Sequence, residues 1–185
     1  MAEIGKNVIE NLTTAMYENA YTVYREYIQN SADSIDKAIA EGIISKNDAF
    51  IDINIEYGKR RITINDNAKG IPADKFVKIL TDIADSQKDR TTDKGFRGIG
   101  RLAGVGYCDK LIFKSSYKGE ETESVIEWDG RKLREVLADS TQHPSASDLV
   151  DDITYAYQNE ANEDDHYFEV IMDRIIPESD DLLDK

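Results

Sequence analysis

Arg25-Glu26-Tyr27-Ile28-Gln29-Asn30-Ser31-Ala32-Asp33-Ser34 is the run from which the rest of the chain can be read. Within it and just beyond, Glu26, Asn30, Asp33 and Lys37 recur at spacings of four, three and four, which aligns them on one face of a helix. Ile28, Ala32, Ile35 and Ile39 form a second, apolar stripe at the same spacings, with Tyr24 and Tyr27 nearby. Any amphipathic helix with a charged solvent side shares that pattern. The choice of groups adds to it: a carboxylate, an amide, a second carboxylate and a lysine together suit a water, a metal ion and a phosphate. The spacing predicts helix over 7–41, stopping at Gly42.

Two strand-like runs follow, residues 50–55 and 61–65, each alternating apolar with polar. Tyr57-Gly58-Lys59 between them reads as a hairpin turn. The second run leads into Asp66-Asn67-Ala68-Lys69-Gly70-Ile71, a carboxylate at a strand end followed by a glycine turn. A buried carboxylate there can accept a hydrogen bond from an exocyclic amine. Asp, Asn and Gly are also ordinary turn residues, so the segment alone does not decide between these readings. Residues 73–84 then read as a short helix with Phe76, Leu80 and Ile83 on one side.

Residues 85–97 are polar and charged and read as a loop, continuing into Gly95-Phe96-Arg97-Gly98-Ile99-Gly100-Arg101-Leu102-Ala103. Closely spaced glycines let backbone N–H groups approach an anion, and a following helix offers its positive end. Lys88, Arg90, Lys94, Arg97 and Arg101 make the neighbourhood basic, as a segment closing over a triphosphate should be; a flexible surface loop is the alternative. No G-x-x-x-x-G-K-[ST] occurs in the chain, which excludes a P-loop. Gly98-x-Gly100-x-x-Ala103 has part of the dinucleotide fingerprint, but the residues before it make a poor buried strand.

Farther on, a short helix near Arg101, strands over 110–117 and 123–128, a helix over 130–138 and a last strand over 167–172 are expected. Residues 139–165 read as acidic and irregular. The net charge of -14 is concentrated at this end: residues 139–185 hold 14 Asp/Glu against 2 Lys/Arg, and residues 1–138 hold 23 against 21. An acidic tail repels phosphate backbones, which argues against nucleic-acid binding through this chain. The single cysteine, Cys108, excludes a disulfide framework and a cysteine-based zinc site. His143 and His166 show no ligand spacing. No signal peptide and no stretch near ~20 apolar residues is evident, so the expectation is a soluble cytoplasmic protein without membrane contact.

Taken in order, the three motif segments resemble those of the Bergerat-fold ATPases, the superfamily of DNA gyrase, the ninety-kilodalton heat-shock chaperones, sensor histidine kinases and MutL proteins. Residues 25–34 resemble its N box, E-x-x-x-N-[AS]-x-D-[AS]; Asp66-x-Ala68-x-Gly70 resembles the first glycine box, D-x-G-x-G; Gly95-x-x-Gly98-x-Gly100 resembles the second. Ser86-Gln87-Lys88 is similar to the S-x-K of the chaperone-like and Microrchidia-like branches. The resemblance implies an α+β, two-layer sandwich with helices on one face of a mostly antiparallel mixed sheet. It implies one ATP-binding domain over residues 1–185, the N-terminal part of a longer protein, with a lid at about 85–103.

The implied roles follow residue by residue. Glu26 matches the general base acting on the attacking water, and Asn30 the amide ligand of Mg2+. Asp33 and Lys37 line the nucleotide pocket, Asp66 bonds the adenine amino group, and Gly70 and Ile71 follow it. Ser86, Lys88, Gly95, Arg97, Gly98, Ile99 and Gly100 complete the nucleotide-binding set. Two departures stand out: Ala68 replaces the first glycine of its box, and Asp165-His166-Tyr167-Phe168 stands where many members carry Gly-Thr. The implied activity is Mg-dependent ATP hydrolysis driving a conformational switch, slow in isolation, with homodimer closure through a downstream domain. Histidine-kinase-type phosphotransfer and nucleotide sensing without turnover are the alternatives.

Overall fold

The computed structural model describes residues 20–82, 100–139, 141–142 and 144–184. Helix α1 (Thr22–Ala40) leads into a hairpin of β1 (Ile51–Glu56) and β2 (Arg61–Asp66), then α2 (Ala73–Thr81). A 3-10 segment, Gly100–Gly106, precedes β3 (Cys108–Ser116), β4 (Thr122–Asp129) and α3 (Gly130–Ala138). Helix α4 (Ala146–Ile153), β5 (Thr154–Glu160), β6 (Tyr167–Ile175) and a kinked 3-10 segment, Pro177–Leu183, complete the order. The strands form one sheet, β1-β2-β6-β3-β4-β5, and every ladder among the described residues is antiparallel. The α+β, two-layer expectation holds. Among the described residues no helix is long and apolar enough to cross a membrane.

Local signals explain the element ends. Gly42 adopts φ +73°, and its N–H donates to Ile39 O at 3.0 Å while Ile43 N–H donates to Ala38 O at 2.9 Å. That is the Schellman pattern, which stops α1 where the sequence predicts. Asp129 accepts from Lys132 N at 2.8 Å and so caps α3. The hairpin turns through Tyr57–Lys59 as expected, although the left-handed residue is Arg60 (φ 52°) and not Gly58.

The register lays three rows across the inward face of the sheet. Ile55, Ile62, Met172, Leu111, Trp128 and Thr154 form the first; Ile53, Ile64, Val170, Phe113, Ile126 and Ala156 form the second. Both are largely apolar, and Tyr27, Phe76, Leu80 and Leu133 from the helices join them in the main core. The third row reads Ile51, Asp66, Phe168, Ser115, Ser124 and Gln158. One end of the inward face is therefore polar. The helices cover this face because burying its apolar rows supplies the main folding drive.

Two expectations need correction. The stretch 139–165 is not irregular: Ser145 caps α4 by accepting from Asp148 N at 3.1 Å, and Leu149, Val150 and Ile153 bury one side of that helix. β5 then pairs with β4 as an edge strand. The buried side of α1 is also shifted. Val23, Tyr27, Ser31, Ile35 and Ala38 are the buried residues, whereas Ile28, Ala32 and Ile39 are half-buried. The helix near Arg101 is a 3-10 segment, and β6 extends past the expected end to Ile175. Residues 7–19, Ile83, the loop 85–97 and His143 lie outside the described residues.

Tyr27 ties α1 to the 3-10 segment. Its hydroxyl donates to Arg101 O at 2.9 Å and accepts from Gly104 N at 2.9 Å; burial holds its pKa far above the ordinary tyrosine value. Tyr27→Phe keeps the ring but leaves a buried donor and a buried acceptor unpaired. We expect a loss of about 1–3 kcal/mol in urea unfolding with an unchanged slope; a loss within error would show that the hydroxyl is not the tie.

Candidate functional site

The polar row begins with Asp66, 1% exposed at the end of β2. Its Oδ1 accepts from Ala68 N–H at 3.0 Å. Its Oδ2 is buried without a partner. Burial pushes its carboxyl pKa up, and the hydroxyl of Ser31 and the Ala68 N–H offset part of that push. Ser31, itself buried on α1, is close enough to favour the carboxylate yet short of a formed hydrogen bond to Oδ2. Ser124 Oγ, in the same row, is a second buried polar atom without a partner. Unmet polar atoms are rare in a protein interior. Each marks a spot where a ligand or water can complete the bonding.

The turn after Asp66 is fixed residue by residue. Asn67 receives Phe50 N–H at 2.9 Å and donates to Asp48 O at 2.8 Å, holding the approach to β1. Ala68 is absent from the left-handed residues, so the missing glycine costs no backbone strain here. Its methyl instead packs in a small cluster with Ile35 and Ala38. Lys69 pairs with Glu41 at 2.8 Å. Gly70 sits at φ +76°, and a Cβ there would lie 1.9 Å from Ser116 O, so only glycine fits. Ile71 N–H donates to Ser115 Oγ at 2.8 Å, and Ser115 donates onward to Tyr167 O at 3.0 Å. His166 Nδ1 lies 2.9 Å from Ala68 O and 3.1 Å from Asn67 O. Both partners are acceptors, so Nδ1 carries the proton.

The α1 stripe is more open than the Asp66 end. Glu26 is half-buried, its side chain 31% exposed, with Arg25 at an ion-pair distance of 3.8 Å. Asn30, Asp33 and Lys37 are exposed, and Asp33 accepts from Gln29 Nε2 at 2.9 Å. At roughly 100° per residue, Asn30 sits one position round the helix from Ser31. Ser31 thus connects the open stripe to the closed carboxylate. Gly100 opens the 3-10 segment pinned by Tyr27. Ser86, Lys88, Gly95, Arg97, Gly98 and Ile99 lie outside the described residues.

Three contributors were not singled out from the sequence. Ser31 stands inside the quoted run, at its [AS] position. Ser115 had a signal, since it is the polar member of an inward alternation with Leu111 and Phe113. Phe168 stands directly opposite Asp66 and stacks on Phe113, with centroids 5.9 Å apart. It is an aromatic ring where the resemblance led us to expect Gly-Thr.

Comparison with known proteins gives the family of the chain. The family described as "Histidine kinase-, DNA gyrase B-, and HSP90-like ATPase" matches residues 17–166. Chaperone protein HtpG of Burkholderia cenocepacia is 28% identical over 143 residues, covering 67% of this chain and 22% of its own length. HtpG of Legionella pneumophila (strain Lens) is 29% identical over 145 residues, covering 68% and 23%. HtpG of Coxiella burnetii (strain RSA 493) is 26% identical over 142 residues, covering 67% and 22%. The match spans less than a quarter of these relatives' length. With most of its residues matched, including the N-box helix and the Asp66 turn, this chain belongs to the histidine kinase-, DNA gyrase B- and HSP90-like ATPase family.

Proposed function

We propose that the chain binds ATP with Mg2+ and hydrolyses it, using Asp66 to recognise adenine and Glu26 to activate water. The observation carrying this reading is the unpartnered, buried Oδ2 of Asp66. A fixed acceptor held out of water pairs with an exocyclic amine and leaves a mismatched base unsatisfied, the arrangement that gives the sharpest discrimination. The turn after it supports the reading, since Gly70 packs against Ser116 O and the Ile71 N–H is held by Ser115 Oγ. Family membership supports the nucleotide class.

The donor chemistry of the α1 stripe suits Mg2+. That ion takes oxygen ligands and keeps several waters, so one protein amide such as Asn30 beside phosphate oxygens is a sufficient holder. When bound, Mg2+ would neutralise charge that develops on the phosphate oxygens. Glu26, kept from full exposure and not hydrogen-bonded to Arg25, orients a water and takes its proton as the water oxygen attacks the γ-phosphorus. The bond to the β-phosphate oxygen breaks and ADP leaves. Asp33 and Lys37 border the same entrance. The glycine run 95–100 with Ser86, Lys88, Arg97 and Ile99 is assigned to the phosphates from its sequence alone. Closure of that segment, and dimer closure through a downstream domain, belong to the same proposal.

Calorimetric titration of Mg-ATP against wild type and Asp66→Asn tests the adenine contact. We expect Asp66→Asn to weaken binding about 10–100-fold, the worth of a hydrogen bond to a charged group. Unchanged affinity would remove Asp66 from the site. Glu26→Ala should keep binding and lose about 10²–10⁴-fold in turnover. Wild-type binding with no turnover would assign the chain to nucleotide sensing.

The raised pKa of Asp66 gives a separate test without nucleotide. A carboxyl whose folded pKa lies above its unfolded value carries a folding cost that is fully present above the folded pKa. That cost disappears as pH falls below the unfolded value, near 4. Asp66→Asn should therefore melt above wild type at neutral pH, with the gap closing as the pH approaches 4. A gap independent of pH would contradict the buried-charge argument.

A further inference from the structure

The pleat gives the sheet a second, open face, and that face carries its own cavity of about 660 Å3, within the size range of ligand sites. Its floor is built across three strands: Asn65 of β2 lies opposite Glu169 of β6, which lies opposite Lys114 of β3. Glu123 of β4 and Tyr167 stand one row farther along, and Phe50, Asn67, Asp164, Asp165 and His166 close the rim. The floor side chains face away from Asp66, although Asn67 and His166 at the rim also brace the turn that follows it.

The cavity is rich in acceptors and poor in donors. Four carboxylates and one ammonium line it, Asp164 being paired from outside by Lys118 at 3.1 Å, and Asn65 Oδ1 is buried without a donor. His166 gives its Nδ1–H to the backbone, so that nitrogen adds no free donor to the cavity. Elsewhere on this face the cation–carboxylate pairs close tightly, Arg61–Asp173 and Lys110–Glu127 both at 2.7 Å. Lys114–Glu169 stays at 3.9 Å, beyond hydrogen-bond reach. Glu123 is braced in place by Tyr167 OH and by Asn159 Nδ2, the latter at 2.7 Å. At the rim, Phe50 is 48% exposed, a ring face open to solvent. A group that fits must carry several donors and no acceptor, hold a positive charge and stack on an aromatic face. A guanidinium has all of these properties, and an ammonium lacks the planar stacking surface.

We propose that the cavity lined by Asn65, Lys114, Glu123, Glu169 and Phe50 binds a guanidinium group. Either a free arginine-like compound or an arginine side chain of a polypeptide supplies this chemistry. The acidic C-terminal quarter of the chain steers such cations towards it. This proposal stands independently of nucleotide binding, because the floor side chains Asn65, Glu169 and Lys114 lie on the other side of the sheet.

Calorimetry with N-acetyl-arginine-N-methylamide is the test, with the citrulline and lysine counterparts as isosteric-neutral and non-planar controls. The arginine probe should bind, the lysine probe more weakly, and the citrulline probe not at all. Glu169→Gln and, separately, Phe50→Ala should each weaken the arginine probe several-fold with an unchanged melting temperature. Comparison with an arginine centred in a five-residue glycine peptide separates the sources. Tighter peptide binding points to a polypeptide partner, and equal binding to a free guanidinium compound. No arginine binding, equal binding of citrulline, or indifference to both variants would overturn the proposal.

Discussion

A carboxylate buried with one oxygen unbonded is a standing cost to the fold, and much of the surrounding architecture is organised around tolerating it. Asp66 stays in place because the backbone on either side cannot move. β2 is fixed between β1 and β6, and the turn that follows is clamped by Asn67, Gly70 and the Ser115 hydroxyl. The Ala68 N–H satisfies one oxygen, which orients the other. Preorganisation of this kind moves the expense of positioning into folding, so that a ligand meeting Oδ2 finds it already aimed.

The same logic explains why the inward face is divided. Two rows of aliphatic and aromatic side chains supply the burial that holds helices to sheet, and the third row gives up that contribution to Asp66, Ser115 and Ser124. Tyr27 works at the boundary. Its ring belongs to the core and meets Phe113 edge-on at 6.5 Å, while its hydroxyl holds the segment that follows the glycine run. Helix α1 therefore contributes three different surfaces: an apolar anchor at Val23 and Tyr27, a hydroxyl towards Asp66, and an open polar stripe.

What the sequence revealed depended on whether local pattern and tertiary environment agreed. The hairpin was legible because Ile53, Ile55, Ile62 and Ile64 alternate with polar residues on a sheet covered on one side. Helix α3 was legible because Gly130 and Ala138 bound a short amphipathic run. The buried side of α1 was misplaced because Ser31 and Tyr27 count as polar in a hydrophobic pattern, while their environment is a closed pocket. Helix α4 and β5 were missed for a related reason. An edge strand reading Thr-Tyr-Ala-Tyr-Gln-Asn-Glu shows no inward–outward contrast, and its preceding helix is acidic on the solvent side. Of the candidate site, the Asp66 turn and the N-box helix were visible in the letters; the closeness of Phe168 to Asp66 comes only from strand register.

Strand β6 lies in the middle of the sheet and looks both ways. Phe168 belongs to the row of Asp66, and its neighbours Tyr167 and Glu169 belong to the opposite face. Successive side chains of a strand alternate sides, so a slip of one residue exchanges the two sets. A slip of one residue in one direction would present Glu169 to Asp66, two carboxylates side by side; a slip in the other would present Tyr167 to Asp66 and turn Phe168 out towards Lys114. A change of chain length is therefore expected to be tolerated only in the connections, such as the segment between β5 and β6, and the spacing within β6 is as much a part of the site as any side chain in it.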